Sequence, residues 1–150
     1  MRTPSSPHGT AAWLSVVRAY NLCDAVFSAR LAKLGVKVGE HEVLGNLFTA
    51  PGITQQALAT RCFVAKSHIS MLLKQMEADG WVRREADPAD ARAKRLSLTP
   101  AGEALARKTM KVQAAVVSGM AAPLTLKELA TVERLMGPVC EALEAMRAEG

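Results

Sequence analysis

Cysteine is scarce in this chain, and what there is has no pattern. Cys23, Cys62 and Cys140 lie far apart and are odd in number, and His8, His41 and His68 are as scattered. No CxxC or Cys/His spacing exists, so a structural metal and a disulfide framework are both excluded, and reduced intracellular thiols are expected. Long hydrophobic runs are also missing. The uncharged stretch Val112 to Leu126 is interrupted by Gly119 and Pro123 and falls short of the about 20 apolar residues that span a bilayer. The N-terminus lacks a basic-then-apolar signal pattern, which makes the cytoplasm the expected location, with no membrane partner. A phosphate loop, a nucleophile–base pair and an internal repeat are absent as well. Nothing therefore speaks for an enzyme, and no cofactor is expected.

What is present is enough for one domain. The chain has 150 residues, 49% of them hydrophobic and 22% charged, the balance of a folded protein. The net charge of +5 is uneven. Residues 61–95 carry eight basic and five acidic side chains, whereas 100–150 carry six of each. A local cationic surplus suits a polyanion partner, although a solvated charged face would look the same.

Residues 1–9, with two prolines and two serines, read as a disordered arm. From Thr10, the residues Trp13, Val16, Tyr20, Cys23, Phe27, Leu31 and Leu34 recur at three and four and predict one striped helix, closed by Gly35. Short helices are expected over 40–49, over 55–62 behind an N-cap at Thr54, and over 66–79 up to Gly80. Strands at 81–85 and 94–98 enclose a basic tip near Asp87–Arg92. Thr99-Pro100 opens a long helix to about Met120. Thr125 and Glu128 form a capping box for a last one over 126–148, striped by Leu129, Val132, Leu135, Met136, Val139, Leu143 and Met146. Three long helices leave more apolar stripe than a small centre covers, which predicts a partner chain.

The segments 55–62 and 66–79 divide into two faces. Ala57, Leu58, Cys62, Val64, Ile69, Leu72, Leu73 and Met76 form an expected inner face. Lys66, Ser67, His68, Ser70, Met71 and Lys74 are left to face outward. A helix-turn-helix needs this division, with one face on the core and the other in the major groove. Short polar residues at the start of the second helix let its backbone approach phosphates.

With these elements in place, the segment from about Ile53 to Gly102 resembles the MarR family of bacterial transcriptional regulators. The residues that carry the resemblance are ITQQALATR, KSHISMLLKQMEADGWVRRE and DPADARAKRLSLTPAG. Asp90-x-Arg92 followed by Leu98-Thr99-x-x-Gly102 is its most specific part. The resemblance implies a mainly α fold with a small β-hairpin wing: a winged helix-turn-helix core over 40–99, flanked by dimerisation helices at 10–35 and 100–150. It implies a homodimer on an inverted-repeat operator in double-stranded DNA, probing bases with the outward face above, together with Lys94. Arg92 is expected at the minor groove or a phosphate, with Asp90 as the carboxylate that holds it. Regulation by repression, relieved by a small organic ligand, is expected at the junction of the two parts, with His41, Trp13 and Tyr20 as candidate lining; for Trp13 and Tyr20 a place in the dimer core is the competing expectation. Alternatives are a redox switch through Cys23 and a winged helix that binds protein instead of DNA.

Departures are equally specific. Ala65 stands where many members have a capping Ser, so Ser67 is the alternative cap. Met71 stands where many have a guanine-reading Arg, and Ala91 where a further Arg is common. Cys62 and Cys140 are expected in the core.

Overall fold

The computed structural model of the chain describes residues 7–62 and 66–150. The disordered arm expected over 1–9 falls mostly outside these, as do Val64, expected on the inner face, and Ala65. The chain divides into two compact units, Met1–Ala114 and Ala115–Gly150.

In the first unit, α1 (Thr10–Ala32) runs from an uncapped start at Gly9. It stops two residues before the expected end. Val36 N–H bonds back to Leu31 O across 3.2 Å, and Gly35 takes φ +71° to allow it. That reversal is the reason glycine sits there, because a Cβ is strained in the left-handed region. α2 (Val38–Thr49) starts where the Glu40 carboxylate accepts the Lys37 backbone N–H at 2.8 Å. Pro51-Gly52 ends it and leads into β1 (Ile53–Thr54), a two-residue strand that the sequence pattern does not announce. The Thr54 hydroxyl then caps α3 (Gln55–Arg61) by accepting from Ala57 N–H. α4 (Lys66–Ala78), β2 (Val82–Ala86) and β3 (Lys94–Leu98) follow.

The sheet has order β1-β3-β2 and is antiparallel throughout. Leu96 pairs with Ile53 on one side and Arg84 on the other. Because successive residues face opposite sides of a strand, Leu96 and Leu98 turn inward while Arg95 stays in solvent, and Lys94, on the leucine face, is exposed at the tip end of the strand. The core gathers Val43, Leu44 and Leu47 from α2, Leu58 from α3, and Ile69, Leu73 and Met76 from α4 under Val82, Leu96 and Leu98. Ala57, expected in the inner face, is exposed.

Thr99 and Gly102 join this core to the start of α5 (Pro100–Ala121). Thr99 N–H donates to Trp81 O at 3.0 Å, and Gly102 N–H donates to the Thr99 hydroxyl at 3.1 Å. A Cβ at position 102 would lie 2.0 Å from Trp81 O. The glycine of the most specific motif in the sequence is thus a packing requirement, since only a bare Cα lets α5 cross that carbonyl.

The second unit holds the end of α5 and α6 (Leu126–Glu149), which opens with the expected capping box. None of the α6 residues is buried. Cys140, expected in the core, is exposed for that reason. No helix among the described residues is long and apolar enough to cross a membrane.

Candidate nucleic-acid interface

α4 places its residues by helical arithmetic. Ile69, Leu72, Leu73 and Met76 recur at three and four and are buried. At about 100° per residue, Ser67, Met71 and Lys74 then point directly away from the core, with Ser70 on one flank and His68 on the other. All five are exposed, Met71 by 66%. The Lys66 side chain lies outside the description. α4 opens at Lys66, so Ser67 is inside the helix and does not serve as the alternative cap.

A polar chain ties this helix to its neighbours. Gln55 Nε2 on α3 donates to Ser70 Oγ at 2.9 Å. The Gln55 oxygen faces Arg84 Nη1 of β2 at 3.4 Å, and Arg84 Nε is paired with Glu77. Neither Gln55 nor Arg84 stands out in the sequence, because the contacts cross 15 and 29 positions.

The wing tip is shaped by two aspartates. Asp87 accepts the Ala89 N–H at 2.8 Å and the Arg95 Nε at 2.9 Å, and Arg95 Nη1 reaches Gly52 O at 2.8 Å. The backbone bond from Ala89, and then the charge of Arg95, hold the Asp87 carboxyl below its ordinary range. Arg95 therefore belongs to the wing's anchor. Asp90 differs from expectation. Its Oδ1 accepts the backbone N–H of Arg92 at 3.0 Å, and no ion pair among the described residues joins it to the Arg92 guanidinium. Two residues of separation bring a short carboxylate onto the backbone, the usual turn made by Asp. Asp90 sets the tip's shape and leaves Arg92 reaching outward. Arg92 and Lys94 are exposed across an open groove of about 570 Å³, whose other wall is Thr54, Gln55, Gln56 and Ile69. One wall offers cations, the other amides and hydroxyls.

A second cleft, about 360 Å³, runs along α2 and is lined by Phe27, Val38, His41, Asn46, Arg61 and Met110 among others. His41 is buried, with its ring edge-on to Phe27 at 4.9 Å. Its Nε2 lies 3.1 Å from Gln113 Oε1. Burial pulls the His41 pKa down, with the Gln113 bond opposing. The neutral ring donates from Nε2 to the amide oxygen, and Nδ1 is a buried acceptor with no partner among the described residues. Trp13 and Tyr20 do not line this cleft. They are 63% and 69% exposed, and Tyr20 lies two turns of α1 before Phe27, roughly 10 Å along the axis.

The cysteines divide by environment. Cys62 is buried, and desolvation followed by the nearby Glu42 charge pushes its thiol up to about 11. That disfavours the reactive thiolate. Cys23 is half-buried on α1.

Residues 34–93 match the model of the MarR family. An HTH-type transcriptional repressor of Mycobacterium tuberculosis is 29% identical over 109 residues, which is 73% of this chain and 78% of the relative. Among solved structures, AbsC, a MarR family transcriptional regulator from Streptomyces coelicolor, aligns with a TM-score of 0.85 at 25% identity, over 97% of this chain and 99% of its own. A cysteine-to-serine mutant of MarR from E. coli, complexed with operator DNA, aligns with a TM-score of 0.78 at 23% identity, over 89% and 99%.

Proposed function

Starting from a chain whose core is a MarR-family winged helix-turn-helix, we propose a homodimeric, sequence-specific DNA-binding regulator that represses transcription until a small molecule releases it. The observation that carries this reading is the outward stripe of α4 beside a wing whose Arg92 and Lys94 side chains are exposed, with no ion pair among the described residues. Ser67, His68, Ser70, Met71 and Lys74 form a surface of helix width for the major groove. Arg92 extends from a tip whose backbone Asp90 has already shaped, as a minor-groove or phosphate contact requires.

The dimer is supported by apolar surface left open in the single chain. α1 exposes Trp13, Val16 and Tyr20, and α6 exposes Val132, Leu135, Val139, Leu143 and Met146. Stripes of this length normally find a partner. Two α4 helices in one dimer would meet half-sites about 10 bp apart. Neutralising about eight phosphates would give a salt slope of roughly −7.

Release is supported by the His41 cleft. A buried acceptor without a partner costs free energy, and a ligand that brings a donor to Nδ1 recovers it. If one spacing of the α4 helices opens this cleft more than the other, ligand binding shifts the population towards it.

The test is selection of binding sites from random double-stranded DNA, with Arg92→Ala as control. An enriched inverted repeat that is lost in the variant supports the reading. No enrichment at low salt overturns it and turns attention to a protein partner for the wing. The selected operator then reports on effectors, and Cys23→Ser tests any response to oxidant.

A further inference from the structure

The outward face of α4 carries no arginine, so it lacks the planar fork that meets both guanine acceptors at once, and Lys74 is the cation it presents among the described residues. The polar chain beside it fixes what it offers instead. A guanidinium can only donate. Arg84 Nη1 therefore obliges Gln55 to turn its oxygen towards β2 and its NH2 towards Ser70. Ser70 Oγ accepts that bond, which leaves its single proton to donate elsewhere, and no hydrogen bond among the described residues takes it. Ser70 thus faces solvent as a donor. About 100° further round the helix, Met71 offers an exposed apolar side chain.

In the major groove thymine presents an acceptor, O4, next to an apolar group, the C5-methyl. Guanine has acceptors without a methyl. Adenine offers the N7 acceptor beside an amino donor and cytosine an amino donor, and neither carries a methyl, so thymine alone matches the donating hydroxyl and the apolar side chain together.

We propose that Ser70 and Met71 form a thymine-reading pair, with Gln55 as the positioning residue that fixes the polarity of the Ser70 hydroxyl. Ser70 donates to O4, and Met71 covers the methyl of the same thymine or its neighbour. This rests on the DNA-binding reading above and specifies which base the half-site holds under α4.

The experiment uses the full chain and the duplex enriched by selection, with each thymine replaced in turn by deoxyuridine, or its T·A pair by 5-methylcytosine·G. Deoxyuridine keeps O4 and removes the methyl. 5-Methylcytosine keeps the methyl and replaces O4 with a donor. At one thymine per half-site, deoxyuridine should weaken the wild type about fourfold, the value of one buried methyl, and leave Met71→Ala unchanged. Ser70→Ala should bind the thymine duplex roughly fivefold more weakly. Gln55→Glu keeps a partner for Arg84 but accepts the Ser70 proton, which leaves Ser70 only lone pairs. It should lose affinity for thymine and gain relative affinity for 5-methylcytosine. A purely structural role for Gln55 would weaken both duplexes alike and overturn the proposal. So would indifference to deoxyuridine at every thymine, or equal sensitivity in Met71→Ala. Failure of the DNA reading is distinct from all of these, because no duplex would be enriched at the outset.

Discussion

α4 and α6 carry apolar residues at the same helical spacing, and the fold treats them in opposite ways. In α4, Ile69, Leu73 and Met76 are fully buried, covered within the same unit by α2, α3 and the sheet. In α6, Leu135, Val139, Leu143 and Met146 stay about half exposed or more. Periodicity identifies an apolar face but carries no information on what covers it. The winged helix completes its own core, and α6 keeps a face for something else.

The largest break in that comparison is expected from Leu73→Ala. Truncating a fully buried leucine should cost about 2–5 kcal/mol in denaturant unfolding. Leu135→Ala on α6 should change the unfolding of dilute protein by no more than about 0.5 kcal/mol. Equal losses would mean that α6 is buried in the isolated chain.

Two glycines of α5 offer the next contrast. Gly102→Ala forces a Cβ into the Trp81 carbonyl and should destabilise by about 3 kcal/mol. Gly119 meets nothing within 4 Å, so Gly119→Ala should stabilise by about 0.5–1 kcal/mol through helix propensity. Thermal unfolding of both variants reads the opposite signs.

Charge on the open face sharpens the comparison further. Leu135→Glu with Leu143→Glu should raise the dimer dissociation constant by roughly a hundredfold in sedimentation equilibrium, by placing carboxylates in an apolar contact. The unfolding midpoint of the core should hardly move. On the other region, Arg92→Ala should reduce the salt slope of operator binding by about 1 and leave dimerisation untouched.

The smallest effect expected is on pH dependence. The native pKa of His41 lies below its ordinary 6.5, so the unfolded chain binds the proton more readily. Stability is then complete above pH 6.5 and is lost as pH falls through the lowered native value. His41→Asn should flatten this acid limb in unfolding measured from pH 7.5 to 4.5. An unchanged limb would place the pH dependence elsewhere.

The parts legible in sequence are those set by neighbours along the chain. The capping box of α6, the Thr99-Pro100 start of α5, the β3 alternation and the outward set on α4 all depend on residues within about four positions. β1 was not legible, because two residues become a strand only when Leu96 and Arg95 pair with them. Asp90 showed its place in the wing but not its bond, which goes to backbone instead of guanidinium. Trp13 and Tyr20 share a stripe with Phe27, and only the crossing of α1 over α2 selects Phe27 for the His41 cleft. Cys140 sits on a helix that buries nothing here, so its apolar surroundings in sequence misplaced it.

By itself the sequence determined which faces are apolar, where the helices start and stop, and that a basic hairpin follows a helix-turn-helix. These depend on local dihedral preference, capping and periodicity, which act over a single turn or pleat. Tertiary structure alone decided that Gln55 donates to Ser70, that Arg95 anchors the wing while Arg92 reaches out, that a His41 nitrogen is buried with no partner among the described residues, and that Gly102 lies against a carbonyl. Each is a contact between distant segments. Its energy depends on a distance of a few ångströms that no spacing along the chain encodes.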